Sequence, residues 1–249
     1  TGENYKVAEE IFLESNMVLY ANWKLNHEHI FVWIIDKEAT NTAIGKKYEK
    51  CTICDMKRNE NTVIPVLPYK AGTLLVNKEY ECEVEVVSSK GEPTVIYRKP
   101  IKSEKETIEI PDEIIINGIS YKVINIADNA FNNNYSITKV VIGNNVKTIG
   151  ERAFSGCKNL KSVTMGSRVT LIGSKAFYNC KNLAKVVIPS KVVSIGKYAF
   201  KNCVSLSTLT IEKSVEKIDK EAFSGCKKLK KIKFKAKKIK LGRDAIMRF

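Results

Sequence analysis

The sequence is poor in the residues and motifs that catalysis uses. It contains only two histidines among 249 residues, and neither a Gly-rich phosphate loop nor an H-E-x-x-H motif occurs. An enzyme needs a nucleophile with its base, or a paired acid and base, placed in a cleft. No window approaches the roughly 18 consecutive apolar residues of a membrane helix. We therefore expect neither an enzyme nor a protein inserted into a membrane.

Positive charge is plentiful but unevenly distributed. The formal net charge is +15, yet the first 100 residues hold 13 Lys/Arg against 15 Asp/Glu, which leaves 29 against 12 for residues 101–249. A basic field of this kind favours acidic partners such as anionic glycans, cell-wall polyanions or acidic protein surfaces. Nucleic acid is not an expected partner, because no recognised reading motif is present. The alternative is a lysine-rich surface that only confers solubility.

The basic part of the chain repeats every 23 residues. Three kinds of residue follow this period: Phe131, Phe154, Phe177, Phe200 and Phe223; Ile137, Leu160, Leu183, Leu206 and Leu229; Cys157, Cys180, Cys203 and Cys226. A fixed period predicts a solenoid, in which each unit buries its apolar side by stacking on the next. We expect each unit to contain a short strand, a turn, an Ile-Gly step and a brief helical turn around Ala-Phe. In one unit the predicted inward residues are Leu183, Val186, Ile188, Val192, Ile195 and Phe200.

The periodic cysteines are predicted to fill a buried slot. Free cysteine is among the most buried residue types. Disulfides between neighbouring repeats are an alternative, because stacked strands lie only about 4.8 Å apart. However, the total of seven cysteines is odd, and Asn134 occupies the slot one period before Cys157. Both observations argue against a required set of bridges.

The recurring pattern I-G-x-x-A-F-x-x-C-x-x-L resembles the BspA-like leucine-rich repeats of bacterial surface proteins. The resemblance spans roughly residues 101–249. It implies a β-rich α/β leucine-rich-repeat solenoid, preceded here by small N-terminal β modules. It also implies a secreted or cell-surface recognition module without catalysis, of a kind associated with adhesion to host components. Thr1 does not open a signal peptide, so we expect a mature chain or a fragment.

Strand register predicts which residues form the exposed face. If the third and fifth residues after each Leu anchor enter the core, the second and fourth point outward. This predicts a ligand-binding face made of Lys139, Val141, Ser162, Thr164, Lys185, Val187, Thr208, Thr210, Lys231 and Lys233. Hydroxyls with interspersed lysines suit a polar or anionic extended ligand, such as a host or extracellular protein or an anionic glycan. The alternatives are a plain solvated face and a passive spacer that projects another domain.

Two smaller modules are predicted near the N-terminus. Residues 1–25 contain Leu19-Tyr20-Ala21-Asn22-Trp23 and resemble the tail of an internalin-type B repeat. Residues 26–67 resemble a small domain found between modules of large surface proteins of gut-type bacteria. Members of that group often carry Cys directly after Ala-Thr, where this chain has Asn41.

Four residues of the 26–67 module form a candidate zinc set. They are His27, His29, Cys51 and Cys54. Tetrahedral zinc accepts mixed nitrogen and thiolate ligands, and a C-x-x-C pair can deliver two sulfurs to one metal. The cofactor prediction is thus a structural zinc ion. Two alternatives remain at this point, a Cys51–Cys54 disulfide and no joint role.

Residues 68–125 are predicted to cap the solenoid, which then occupies residues 126–249. Alternation in Tyr80–Val86 predicts a half-buried strand with Tyr80, Cys82, Val84 and Val86 on one face. Asn117-Gly118, flanked by strand formers, is a strong hairpin signal. A cap is needed because an unstacked end would expose apolar surface and open strand edges.

Overall fold

The computed structural model describes residues 30–53, 56–102 and 104–246. The predicted internalin-type segment lies outside the described residues and stays a prediction. Within the described part, all regular structure is β-strand. The chain divides into two compact units, one containing the described residues up to Lys37 together with Lys46–Val63, the other containing Glu38–Gly45 and the chain from Ile64 onward.

The smaller unit is built around a three-stranded sheet. Its strands are β1 (Phe31–Lys37), β2 (Gly45–Cys51) and β3 (Lys57–Ile64), in the order β1-β2-β3. The ammonium of Lys47 lies 4.0 Å from the ring centroid of Trp33, and the guanidinium of Arg58 lies 3.6 Å from that of Phe31. Cation–π contacts of this kind stabilise a sheet whose aromatic faces are partly exposed.

The larger unit begins with antiparallel strands. They are β4 (Leu74–Asn77), β5 (Cys82–Ser88) and β6 (Thr94–Pro100). Cys82, Val84 and Val86 are buried as predicted, but Tyr80 lies before the strand and is 37% exposed. The prediction for Tyr80 is wrong because Glu81 adopts a left-handed backbone conformation (φ 47°), which interrupts the alternation.

The Asn-Gly hairpin is confirmed. Strand β7 (Thr107–Ile110) comes first, and β8 (Glu113–Ile116) then turns back on β9 (Ile119–Ile126). Asn117 and Gly118 have φ values of 51° and 77°, as a type I′ turn requires. Because β6 pairs with β9 in parallel, β4, β5 and β6 extend one sheet of the solenoid at its N-terminal edge.

Two sheets run along the repeats, and the strands of successive repeats pair in parallel in both. One has the order β18-β16-β14-β12-β10-β7 and the other β19-β17-β15-β13-β11-β9-β6-β5-β4, with β8 also paired to β9. The remaining strands are β10 (Lys139–Ile142), β11 (Thr148–Ile149), β12 (Ser162–Thr164), β13 (Leu171–Ile172), β14 (Lys185–Val186), β15 (Ser194–Ile195), β16 (Thr208–Ile211), β17 (Lys217–Ile218), β18 (Lys231–Phe234) and β19 (Lys240–Leu241). The predicted solenoid with a 23-residue repeat is confirmed.

The third side of each repeat is a series of tight turns, which we call the turn ribbon (residues 127–134, 150–157, 173–180, 196–203 and 219–226). The predicted helical turn around Ala-Phe is wrong. The N–H of Ala153 donates to the Gly150 carbonyl within its own turn (3.3 Å). The N–H of Phe154 instead donates to the Ala176 carbonyl of the next repeat (2.8 Å). Alternate N–H groups thus bond between repeats, which a helix does not allow.

The core consists of columns of equivalent side chains, one from each repeat. The rings of Phe131, Phe154, Phe177, Phe200 and Phe223 stack with centroids 4.9–5.3 Å apart and planes within 9° of parallel. All six residues predicted to point inward in the unit from Leu183 are buried. Gly173 follows a core Ile where the backbones touch, since a Cβ there would lie 2.7 Å from the Gly150 carbonyl carbon. Glycine is therefore favoured at this step by the close approach of two repeats.

The cysteine slot also forms a column. Cys157, Cys180, Cys203 and Cys226 are buried and form no disulfide. Each S–H donates to a phenylalanine carbonyl oxygen of the preceding repeat, as in Cys180 to Phe154 (3.1 Å). In the first repeat Asn134 occupies the position of the cysteines. Its side-chain oxygen accepts a hydrogen bond from the N–H of Ser136 (3.0 Å).

Candidate functional site

The predicted ligand-binding residues lie on the outward face of the six-stranded sheet. Pairing in parallel register places one residue from each strand in a row that we call the lysine row: Thr107, Lys139, Ser162, Lys185, Thr208 and Lys231. Hydroxyl and ammonium groups alternate along it without exception. Neighbouring parallel strands are about 4.8 Å apart, so successive lysines are separated by about 10 Å.

A second row lies two residues further along the strands. This valine row contains Glu109, Val141, Thr164, Val187, Thr210 and Lys233. Pairing in register is observed for Glu109 with Val141, for Val141 with Thr164, and for Thr210 with Lys233. Val187 directly follows the short β14 and is 63% exposed. All ten predicted residues are thus on one face, and none of them is buried.

The core fixes which residues face outward. Val140, Val163, Val186 and Leu209 alternate with the lysine row and the valine row, and all four are buried. Because side chains alternate with a period of two, slipping a strand by one residue would bring lysines into the core and valines to the surface. Burial of this apolar column therefore holds the lysines in position.

Positive charge is densest around β18, the last strand of the six-stranded sheet. The segment from Lys227 to Lys240 contains nine lysines and no acidic residue. Only Lys235 forms a salt bridge with a described residue, at 2.8 Å from Glu212. Lys139, Lys185, Lys231 and Lys233 form none with any described carboxylate. Their charge is available to an anionic ligand, although salt would screen it at the surface.

A shallow groove borders the valine row. It has a volume of about 420 Å³ and is lined in part by Thr164, Met165, Val187 and Pro189. The groove offers apolar contact beside a hydroxyl.

The periodic thiols are unsuited to nucleophilic chemistry. Burial raises the pKa of Cys157 and of Cys226 to about 12 and raises the pKa of Cys180 and Cys203 well above the usual value. The thiolate is the nucleophile, and it is scarce at neutral pH when the pKa is high. These cysteines consequently serve packing.

The predicted zinc set is largely outside the described residues. His27, His29 and Cys54 belong to that part, and only Cys51 is described, where it is buried at the end of β2. Across residues 30–53, 56–102 and 104–246, no group of three or more His, Cys, Asp or Glu is placed to hold a metal. The zinc site and the alternative disulfide therefore stay predictions.

Sequence reasoning missed Thr107 and Glu109, which extend the two rows by one strand. The match of Thr107-Ile108-Glu109-Ile110-Pro111 to the strand before Pro189 predicts that the solenoid begins at this strand, but the predicted ligand-binding face was not extended to it. It also missed a cleft on the turn ribbon, which no periodic motif marks.

Within the described residues, we find no apolar helix of the length that a membrane span requires.

Comparison with known proteins identifies the repeat. The sequence-family model described as the BspA type leucine rich repeat region matches residues 124–248 in six copies. The match covers half of the chain. No curated protein matches. A leucine rich cell surface protein from Faecalibacterium prausnitzii is similar in structure, with a TM-score of 0.59 and 24% identity over 72% of this chain and 47% of that one.

A leucine rich repeat protein of T. pallidum has the same fold. The TM-score is 0.52 at 21% identity, and the match covers 70% of this chain and 85% of that one. At these identities the two structures establish the fold of the repeats. The chain spans less than half of the length of the Faecalibacterium protein.

Proposed function

The chain belongs to the family of BspA-type leucine-rich repeat proteins, and we propose that it is a non-catalytic bacterial surface protein that binds an extended anionic polysaccharide on its lysine row. The name of the Faecalibacterium protein, a cell surface protein, supports this location. The single observation that carries the proposal is the alternation of hydroxyl and lysine across six strands in register.

The spacing of the lysines favours a particular type of polymer. Lys139, Lys185 and Lys231 occupy every second strand and are separated by about 10 Å. Two linked sugar rings have a comparable length. A polysaccharide with one acidic group in every disaccharide would place each carboxylate opposite a lysine, and its intervening sugar would meet Ser162 or Thr208.

Solenoids use such exposed strand faces for long contacts, because many weak interactions add along a rigid surface. Each exposed ion pair contributes only about 0–1 kcal/mol. Useful affinity therefore requires several lysines to bind the same chain at once. A linear polyanion meets this requirement, whereas a small anion does not.

The charge requirement is tested with a triple variant. Lys185, Lys231 and Lys233 are changed to Glu, and binding to hyaluronan, a polymer of alternating glucuronic acid and N-acetylglucosamine, is measured by biolayer interferometry. We expect the affinity to fall at least about tenfold, since attractive contacts are replaced by repulsive ones. The matched control changes Lys147, Lys191 and Lys213 to Glu, which removes as much positive charge from exposed positions outside both rows.

The spacing requirement is tested without any change in net charge. The double variant Lys185→Thr/Thr208→Lys moves one ammonium to the adjacent strand of the same row. It should bind hyaluronan more weakly than the native chain does, while binding to heparin, with its denser charge, should change less. Equal losses in the triple variant and its control would contradict the proposal. Absence of salt-sensitive binding to any polyanion would instead favour a passive spacer.

A further inference from the structure

A cleft on the turn ribbon, separate from the lysine row, has the features of a binding site. It has a volume of about 420 Å³ and is formed by equivalent positions of four successive repeats. Among the residues that line it are Arg152, Ser155, Lys175, Tyr178, Asn179 and Tyr198. We propose that this cleft binds a single carboxylated sugar residue, as a second site besides the lysine row.

One residue that lines the cleft, Ser155, has a buried hydroxyl. Ser155 is only 8% exposed, and within the described part of the chain its side chain has no hydrogen-bond partner. A buried polar group without a partner is costly, and native structures usually pair such groups. Ser155 lines the cleft, so a hydroxyl or carboxylate of a ligand can complete its hydrogen bonding.

Two cations of the cleft remain available to an acid. Lys175 forms no salt bridge with a described carboxylate. Among the carboxylates that the structure describes, Arg152 pairs with its chain neighbour Glu151 alone, at 3.5 Å, and both side chains are about half exposed. By contrast, Lys201 is held by Glu221 in a side-chain hydrogen bond. The free charge therefore lies at the Arg152–Lys175 side and fits one carboxylate.

Aromatic and amide groups supply the sugar-binding surface that the lysine row lacks. Tyr178 and Tyr198 both line the cleft and are half-buried. The ammonium groups of Lys175, Lys197 and Lys201 lie 4.9–5.8 Å from the centroid of the Tyr198 ring, so the Tyr178 ring is the aromatic surface left for a sugar. Asn202 donates to the side-chain oxygen of Asn179 (2.9 Å), which leaves the amide hydrogens of Asn179 for a ligand hydroxyl.

The volume of the cleft favours a ligand of one sugar residue over a longer one. A site of a few hundred Å³ suits a small ligand, and its mixture of aromatic rings with a few placed polar groups is the usual composition of such sites. An acidic peptide would need a longer groove with backbone partners. A neutral sugar would leave Arg152 and Lys175 without a countercharge.

The test uses the whole chain and saturation-transfer NMR with glucuronic acid and N-acetylneuraminic acid as probes, with N-acetylglucosamine as the neutral reference. The acidic sugars should bind with a millimolar Kd and the neutral sugar at least tenfold more weakly. Lys175→Gln and Ser155→Ala should each weaken binding of the acidic sugars severalfold. Ser224→Ala is the matched control, because Ser224 occupies the equivalent position three repeats later, is 6% exposed and does not line the cleft.

The same measurement separates the two sites. The Lys185/Lys231/Lys233 triple variant should bind the monosaccharides as the native chain does, even if it loses hyaluronan. Far-UV circular dichroism and urea midpoints should agree between Ser155→Ala and Ser224→Ala. Equal binding of neutral and acidic sugars, or loss of binding in the triple variant but not in Lys175→Gln, would overturn the cleft proposal and leave the lysine row unaffected.

Discussion

The rings of Phe154 and Phe177 lie parallel in successive repeats, with centroids 5.3 Å apart and planes inclined by 5°. Both side chains are fully buried. The separation of the rings is close to the spacing of neighbouring strands, about 4.8 Å, so the strand pairing of the sheets and the ring column have compatible periods. Each repeat thus contributes one layer of the core, and its apolar side chains are buried only when neighbouring repeats stack on it.

Removing a ring from the middle of the column should be costly. We expect Phe177→Ala to lower the free energy of unfolding by about 3–5 kcal/mol, because it leaves a cavity with rings above and below. Urea unfolding followed by circular dichroism measures the change. Phe234→Ala is the control, since Phe234 lies on β18, the last strand of the six-stranded sheet, and is 46% exposed. A loss at Phe177 no greater than at Phe234 would contradict the role of the column.

The periodic cysteines should resist alkylation in the folded chain. Burial holds the pKa of Cys157 and Cys226 at about 12, so little thiolate exists at about pH 8. Iodoacetamide labelling mapped by mass spectrometry should find Cys157, Cys180, Cys203 and Cys226 unmodified in the native chain and modified in urea. Rapid labelling of the native chain would refute their burial. Resistance in urea that a reductant relieves would reveal disulfides instead.

The left-handed positions of the turn ribbon should tolerate glycine but reject branched side chains. Asn202 has φ 63°, and Gly156 and Gly225 occupy equivalent positions with φ 75° and 76°. Asn202→Val should lose about 1–2 kcal/mol, the cost of a left-handed conformation for an L side chain with a branched Cβ. Asn202→Val and Asn202→Gly both remove the hydrogen bond to Asn179, so the difference between the two variants isolates the conformational cost. Asn202→Gly should retain most of the stability in urea unfolding, and an equal loss in both variants would contradict the conformational explanation.

The repeat period was enough to predict the solenoid, the buried columns and the outward direction of the lysines. These features depend on side-chain alternation, which is local and visible in one repeat. Lys185 and Val186, for example, take opposite faces as any two successive strand residues must. The Asn117-Gly118 hairpin followed from equally local turn chemistry.

The turn ribbon could not be predicted in the same way. Arg152, Lys175, Tyr198 and Glu221 adopt positive φ, although none is a residue type that favours it. Their conformation is held by hydrogen bonds to the next repeat, such as from Arg152 to Ser174 (2.9 Å), and such partners are invisible in a single unit. The cleft could not be predicted from the sequence for a related reason. One set of its positions carries a different side chain in each repeat, since Ser155, Tyr178 and Lys201 follow the period without sharing a chemistry.

A carboxylate in the cap should make stability depend on pH. Glu81 accepts hydrogen bonds from Lys102 and Lys105, each at 2.6 Å, and these lower its pKa from 4.5 to about 2. The folded state therefore holds this proton less tightly than the unfolded state does. The stabilisation of the folded state by the charged Glu81 is fully present above about pH 4.5 and is lost as the pH falls to about 2.

Comparison of the native chain with Glu81→Gln isolates this effect. The difference in the free energy of unfolding should be constant from about pH 5 to 7, shrink below pH 4.5 and vanish near pH 2. Urea titrations across this range measure it. High salt should reduce the difference at neutral pH, because the three groups are at the surface, where ions screen their interaction. A difference that stays constant down to about pH 2 would instead attribute the loss to backbone effects at this left-handed residue (φ 47°) rather than to its charge.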